Sequence, residues 1–249
     1  MTGASPLLFL HGGAAHAHWF DAVVPAFAGR HHVVSLDQRG HGESAWAVPP
    51  AYGTEDFAAD LVRVLDRLGW ARAALVGHSM GGHNAMAFAA WHPDRVSRLV
   101  IVDSRPALPE DRVVRMRARG QHPPRLHASP DEAVRAFRLL PPETSADPLL
   151  LEHLGRAGLV QANGGWRYRF DPACYAARRP VDAWPLLPRV AARTLVVRGE
   201  HSPIMTRDIA ERMQALLPDA SVVEIPGAYH HLVLDAPEAF TQALAAFLR

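Results

Sequence analysis

The chain has 249 residues, 49% hydrophobic and 20% charged, with a net charge of +1. That length suits one globular domain with room for an inserted subdomain and a large core, and the near-neutral balance gives no electrostatic case for nucleic acid or an anionic membrane. The single cysteine, Cys174, leaves no internal disulfide, and residues 1–10 carry neither a basic leader region nor an apolar run long enough for a signal or a span, so a cytoplasmic protein is expected.

Apolar, strand-like runs recur along the chain at residues 7–10, 32–36, 73–76, 99–102, 194–197 and 221–225. Helical patterns lie between or after them at 19–28, 54–68, 82–91, 207–217 and 237–248. Alternating β and α segments predict a parallel sheet of about six strands with helices on both faces, an α/β fold. Most runs are continuously apolar, as expected when both sheet faces are buried. Thr54 reads as an N-cap with Asp56 in the first turn, and Gly69 as the stop of that helix.

Residues 105–189 break this rhythm. Prolines are dense there, no strand pattern stands out, and short helical pieces appear at 131–140, after Ser129-Pro130, and at 146–154. The expectation is a helical cap (105–189) set over the C-terminal ends of the strands of a core made of 1–104 and 190–249. Phe137, Leu140 and Trp166 are its candidate pocket walls. Arg112, Arg115, Arg117 and Arg119, spaced by two or three, are expected around a helix and mostly solvated, with one of them available to a substrate carboxylate.

Gly77-His78-Ser79-Met80-Gly81 reads G-x-S-x-G between a strand-like and a helix-like run. That context makes a sharp strand-to-helix turn that lifts one side chain above the sheet, so Ser79 is the candidate nucleophile. A serine hydroxyl needs a base within hydrogen-bond reach, and the base needs a carboxylate to fix its tautomer. In this topology the order is serine, acid, histidine, which points to His230 or His231 after the last strand. The backbone N–H of Met80, at the helix start, is one candidate donor to a developing oxyanion.

The chain resembles the α/β-hydrolase superfamily over most of its length outside residues 105–189. The marks are Leu10-His11-Gly12-Gly13, the Asp37–Ser44 stretch, Gly77 through Gly82, and Pro226-Gly227 through Pro237. The resemblance implies His230 as the base, counted back from Asp235 and Pro237, and leaves His231 as a wall residue. It implies the Gly13 N–H as the second oxyanion donor, His11 as a loop anchor, and structural roles for Asp37 and Arg39. Many relatives carry the acid after the penultimate strand, where this chain has Ser202. A second branch carries it after the strand that follows the serine turn, which here selects Asp103, with Glu200 as the alternative. Relatives usually begin with an antiparallel hairpin that the residues before Leu7 cannot supply, so an exposed sheet edge is expected, available to a second copy of the chain.

Serine at residue 79 argues against the aspartate chemistry of haloalkane dehalogenases and epoxide hydrolases, and so does Met80 where those dehalogenases carry a halide-binding tryptophan. The implied activity is hydrolysis of a small-molecule acyl substrate: a carboxylic ester first, with thioester, lactone or C–C hydrolysis as variants and a non-catalytic receptor as the alternative. No cofactor is called for. Despite 15 histidines, no metal site is expected, because His31-His32 and His230-His231 read as strand neighbours facing apart, and His16-Ala17-His18 lacks a third ligand.

Overall fold

The computed structural model describes residues 4–162 and 164–249. In chain order its strands are β1 (Ser5–Leu10), β2 (His31–Leu36), β3 (Tyr52–Gly53), β4 (Ala73–His78), β5 (Val96–Val102), β6 (Leu159–Ala162), β7 (Gly165–Tyr168), β8 (Arg178–Arg179), β9 (Thr194–Gly199) and β10 (Ala220–Ile225). The α-helices are α1 (Thr54–Arg67), α2 (Met80–Trp91), α3 (Glu110–Gly120), α4 (Pro130–Ala136), α5 (Pro148–Ala157), α6 (Ala173–Ala176), α7 (Arg207–Leu216), α8 (Leu232–Asp235) and α9 (Pro237–Leu248).

Six strands form the main sheet in the order β2-β1-β4-β5-β9-β10, and every pairing in it is parallel. Successive side chains of a strand point to opposite faces. Leu7, Phe9, Val76, Val100 and Val102 therefore pack on one side, against Phe240, Leu244 and Phe247 of α9. Leu8, Leu10, Leu75, Leu99 and Ile101 pack on the other, against Leu61 and Leu65 of α1, Met86 and Phe88 of α2, and Met213 of α7. The strands read as unbroken apolar runs because each face has its own core. All strand C-termini end on the same side, where the loops that carry chemistry gather.

Two local readings are corrected. Residues 19–28 do not form an α-helix; the chain makes two 3₁₀ turns, Ala17–Phe20 and Val24–Ala26. Pro25 inside the second has no N–H for a continuing helix. Thr54 is the first residue of α1 rather than its cap. Gly53 precedes the helix, its N–H donating to Asp56 at 2.7 Å, while the Thr54 hydroxyl accepts the Val181 N–H.

Residues 105–189 contain α3, α4, α5 and α6, and also strands that the sequence reading did not find. β6 and β7 pair antiparallel, and β8 pairs with β3 before α1. These strands are two to four residues long, too short to leave a period, although Asn163-Gly164 is a hairpin signal in the sequence. The inserted segment is tied to the loop after β10. The His231 Nε2–H donates to the Pro141 carbonyl, and Asp235 accepts from the Thr144 hydroxyl, the Ser145 N–H and the Tyr229 N–H.

Candidate active site

The site is built where β4 turns into α2. Ser79 has φ 52° and ψ −116°, a backbone conformation that L-residues avoid. Holding it costs on the order of 1–3 kcal/mol, which the surroundings must over-determine. They do so through the Ser79 N–H on the Val102 carbonyl (2.9 Å) and the His83 N–H on the Ser79 carbonyl (3.0 Å). Glycine is required on both sides because the turn is so tight. A Cβ on Gly77 would meet the carbonyl of Gly81, and one on Gly81 would run into the backbone of Leu10.

The Ser79 Oγ lies 3.1 Å from His230 Nε2, and His230 Nδ1 lies 2.8 Å from Asp103 Oδ1. A carboxylate only accepts, so Nδ1 carries the proton and Nε2 offers its lone pair to the serine hydroxyl. Asp103 and His230 are buried and Ser79 is half-buried. Asp103 follows β5 at φ 43°, its N–H bonded to the Val197 carbonyl of the neighbouring strand.

The loop after β9 serves Asp103 without supplying an acid. The Ser202 hydroxyl donates to Asp103 Oδ1 at 2.5 Å, and the Gly199 N–H donates to Oδ2 at 2.9 Å. The Ser202 oxygen accepts in turn from the N–H groups of Ile204 and Met205. Glu200 points elsewhere, accepting the Gly227 N–H at 2.8 Å. Burial pushes the Asp103 carboxyl up to about 7, opposed by the Ser202 and Gly199 donors. Burial also holds His230 well below the ordinary imidazole range, helped by His231 and Arg112. The two share one hydrogen bond, so the proton gained on acidification belongs to the pair.

The x in G-x-S-x-G also has a task. The His78 Nε2–H donates to the His230 carbonyl at 2.9 Å, fixing the histidine loop from below. Only the folded structure shows this pairing across 152 residues. His11 is an anchor as expected: its Nε2 accepts the Gln38 N–H at 3.0 Å. Asp37 accepts the Ala17 and Glu43 N–H groups, and Arg39 pairs with Asp60.

Ser79 and His230 open into a cavity of about 320 Å³ together with Gly13 and Met80. Met80 is the first residue of α2, so its N–H has no acceptor within the helix. Of the expected walls, Leu140 lines this cavity. Phe137, Trp166 and His231 do not. Phe137 packs edge-on to Trp19 at 6.4 Å and against Tyr168 at 5.6 Å. Trp166 is bound through its backbone to His127, and His231 is held by Pro141. The walls that the sequence reading missed include His83, Leu108, Met116 and Tyr175. A second cavity, of about 350 Å³, lies between the loop after β2 and α1 and shares no lining residue with the Ser79 cavity.

The argument against metal chelation by the paired histidines is also corrected. His230 and His231 follow a turn rather than lying in a strand, and their ring centres are 4.9 Å apart. One ring nitrogen each of His78, His230 and His231 lie within 4.8 Å of one another, as do one donor atom each of the exposed His18, Asp21 and His153. Both nitrogens of His230 are engaged by Asp103 and Ser79. In the exposed group, Asp21 is hydrogen-bonded to both imidazoles.

A sheet with helices on both faces and a serine on a strained strand-to-helix turn define an α/β hydrolase. The family model for the alpha/beta hydrolase fold matches residues 5–237, and the chain belongs to that family. It is 30% identical over 252 residues to a 2-(acetamidomethylene)succinate hydrolase of Mesorhizobium japonicum, covering 99% of this chain and 89% of that protein. It is 25% identical to an Escherichia coli esterase, covering 98% and 93% of the two chains. A solved E-2-(acetamidomethylene)succinate hydrolase superposes with a TM-score of 0.88 at 26% identity, over 99% of this chain and 92% of the other. No helix among the described residues is long and apolar enough to cross a membrane.

Proposed function

We propose that the protein is a serine hydrolase that cleaves a small carboxylic ester, with thioesters and lactones as chemical relatives, through an acyl-enzyme intermediate. The observation that carries this reading is the unbroken hydrogen-bond path from Asp103 through His230 to Ser79, opening on a cavity. The Ser79 Oγ attacks the substrate carbonyl while His230 Nε2 takes its proton. Asp103 holds the imidazole tautomer and stabilises the imidazolium. The N–H groups of Met80 and Gly13 receive the oxyanion, an interaction worth about 10²–10³ in rate per donor. His230 then protonates the leaving oxygen, and water repeats the sequence on the acyl-enzyme.

Residues 105–189 act as a cap in this reading. A cavity of about 320 Å³ is at the small end of ligand pockets. Short and medium acyl esters are therefore expected to react better than long-chain triglycerides.

Hydrolysis of p-nitrophenyl acetate and butyrate by the wild type and by Ser79→Ala tests the reading. Turnover that vanishes in the folded variant is the expected result. Turnover equal in both proteins would reject it, and binding of small molecules without turnover would favour a receptor.

A further inference from the structure

Five arginines, Arg105, Arg112, Arg115, Arg119 and Arg178, line the cavity that holds Ser79, and no aspartate or glutamate does. The chain has no lysine, so the choice of arginine carries no information. Their gathering around one cavity with no carboxylate among its walls does. Several guanidinium groups elsewhere find carboxylates, among them Arg39 with Asp60, Arg95 with Asp66, Arg156 with Asp131 and Glu152, Arg169 with Glu43 and Arg207 with Glu224. Among the described residues Arg105, Arg112 and Arg119 have no such partner, although the whole chain is charged only +1. Arg115 is paired with Asp111 in solvent, and Arg178 is committed to Asn84 and the Tyr52 carbonyl.

The placement is directional. Arg112, Arg115 and Arg119 stand at i, i+3 and i+7 of α3 and share one face, which is the face toward the cavity. This corrects the expectation that they spread around the helix; only Arg117 turns aside, to the Arg178 carbonyl. Arg112 is half-buried, and besides burial the neighbouring Arg105 and Arg115 push its pKa down. Like charges crowded in a partly desolvated cavity are unfavourable until an anion enters. Planar guanidinium groups match a carboxylate in two-point geometry.

We infer that the substrate of the Ser79 site carries a carboxylate besides its scissile ester, and that Arg112, with Arg105 and Arg119, receives it. The inference rests on the serine-hydrolase reading and narrows its substrate class.

The test compares kcat/KM for mono-p-nitrophenyl glutarate, a free carboxylate on the acyl side, with that for its methyl-capped neutral ester. A second pair, 4-butyryloxybenzoate and its methyl ester, puts the carboxylate on the leaving group. A preference of about tenfold or more for the acid is expected in one pair, the size of a hydrogen bond to a charged group. That preference shrinks toward one in Arg112→Gln, mainly through KM, and partly survives in Arg112→Lys. Glutarate, but not glutaramide, slows labelling of Ser79 by a fluorophosphonate, a readout independent of turnover. Ratios of one or less in both pairs overturn the inference while leaving the hydrolase reading intact, and so does a preference that Arg112→Gln leaves unchanged. If Ser79 is neither labelled nor turns over any of the four esters, both readings fall.

Discussion

The main sheet with its flanking helices and the inserted segment 105–189 solve opposite problems. The sheet fixes atoms. Ser79, Asp103 and His230 come from three loops at the C-terminal ends of β4, β5 and β10, and each is held by backbone bonds to a neighbouring strand or loop. The insert supplies part of the cavity wall around them. None of the residues of α3 is fully buried, and four of its eleven residues are arginines. The lesson is that the two parts carry different physical costs: backbone strain and buried polar groups at the sheet ends, unpaired charge on α3.

Substitutions at the sheet ends should break the chemistry. Ser79→Ala and His230→Ala are each expected to lower p-nitrophenyl butyrate turnover by a factor on the order of 10⁶ with circular dichroism unchanged; a folded variant keeping a tenth of the activity would contradict the scheme. Asp103→Asn should cost roughly 10⁴ in kcat, because the amide favours the wrong imidazole tautomer. Glu200→Gln, 2.8 Å from Gly227 and away from His230, should cost little. The reverse ranking would make Glu200 the acid.

Stability should divide along the same line. Phe240 is wholly buried against the sheet, so Phe240→Ala should cost about 3–5 kcal/mol in urea unfolding. Arg119 is exposed on α3, and Arg119→Gln should stay within about 0.5 kcal/mol. Equal losses would mean that the insert is part of the core. The smallest effect crosses the boundary. The Arg112 charge lowers the His230 pKa, so Arg112→Gln should raise it. The active form has neutral His230, and activity is lost as pH falls through that pKa. The acid limb of kcat/KM should therefore move to higher pH. A move to lower pH would contradict the electrostatic contact.

The two regions also differed in how far the sequence could be read. All six main strands are where the apolar runs lie, because burial on both faces leaves a strong signal. Ser79 could be named because a tight strand-to-helix turn constrains it, whereas His230 over His231 and Asp103 over Glu200 rested on resemblance to the α/β-hydrolase superfamily, with Ser202 standing where many relatives carry the acid. What Ser202 does there was hidden, since a serine donating to a buried carboxylate has no sequence mark. The insert was legible only as a gap. Its hairpin strands are too short to show a period, and Phe137, packed between Trp19 and Tyr168, and Trp166 lie outside the cavity lining. The arginine face of α3 was visible as spacing, but which side would meet Ser79 depends on docking that no local pattern encodes.

The central claim is that Ser79 is a nucleophile activated through His230 and Asp103. Its most direct measurement is intact-mass and peptide analysis after exposure to a fluorophosphonate. One adduct per chain on Ser79 is expected, absent in Ser79→Ala and strongly slowed in His230→Ala and Asp103→Asn. An adduct on any other residue, or labelling of Ser79 at the wild-type rate in His230→Ala, would contradict it.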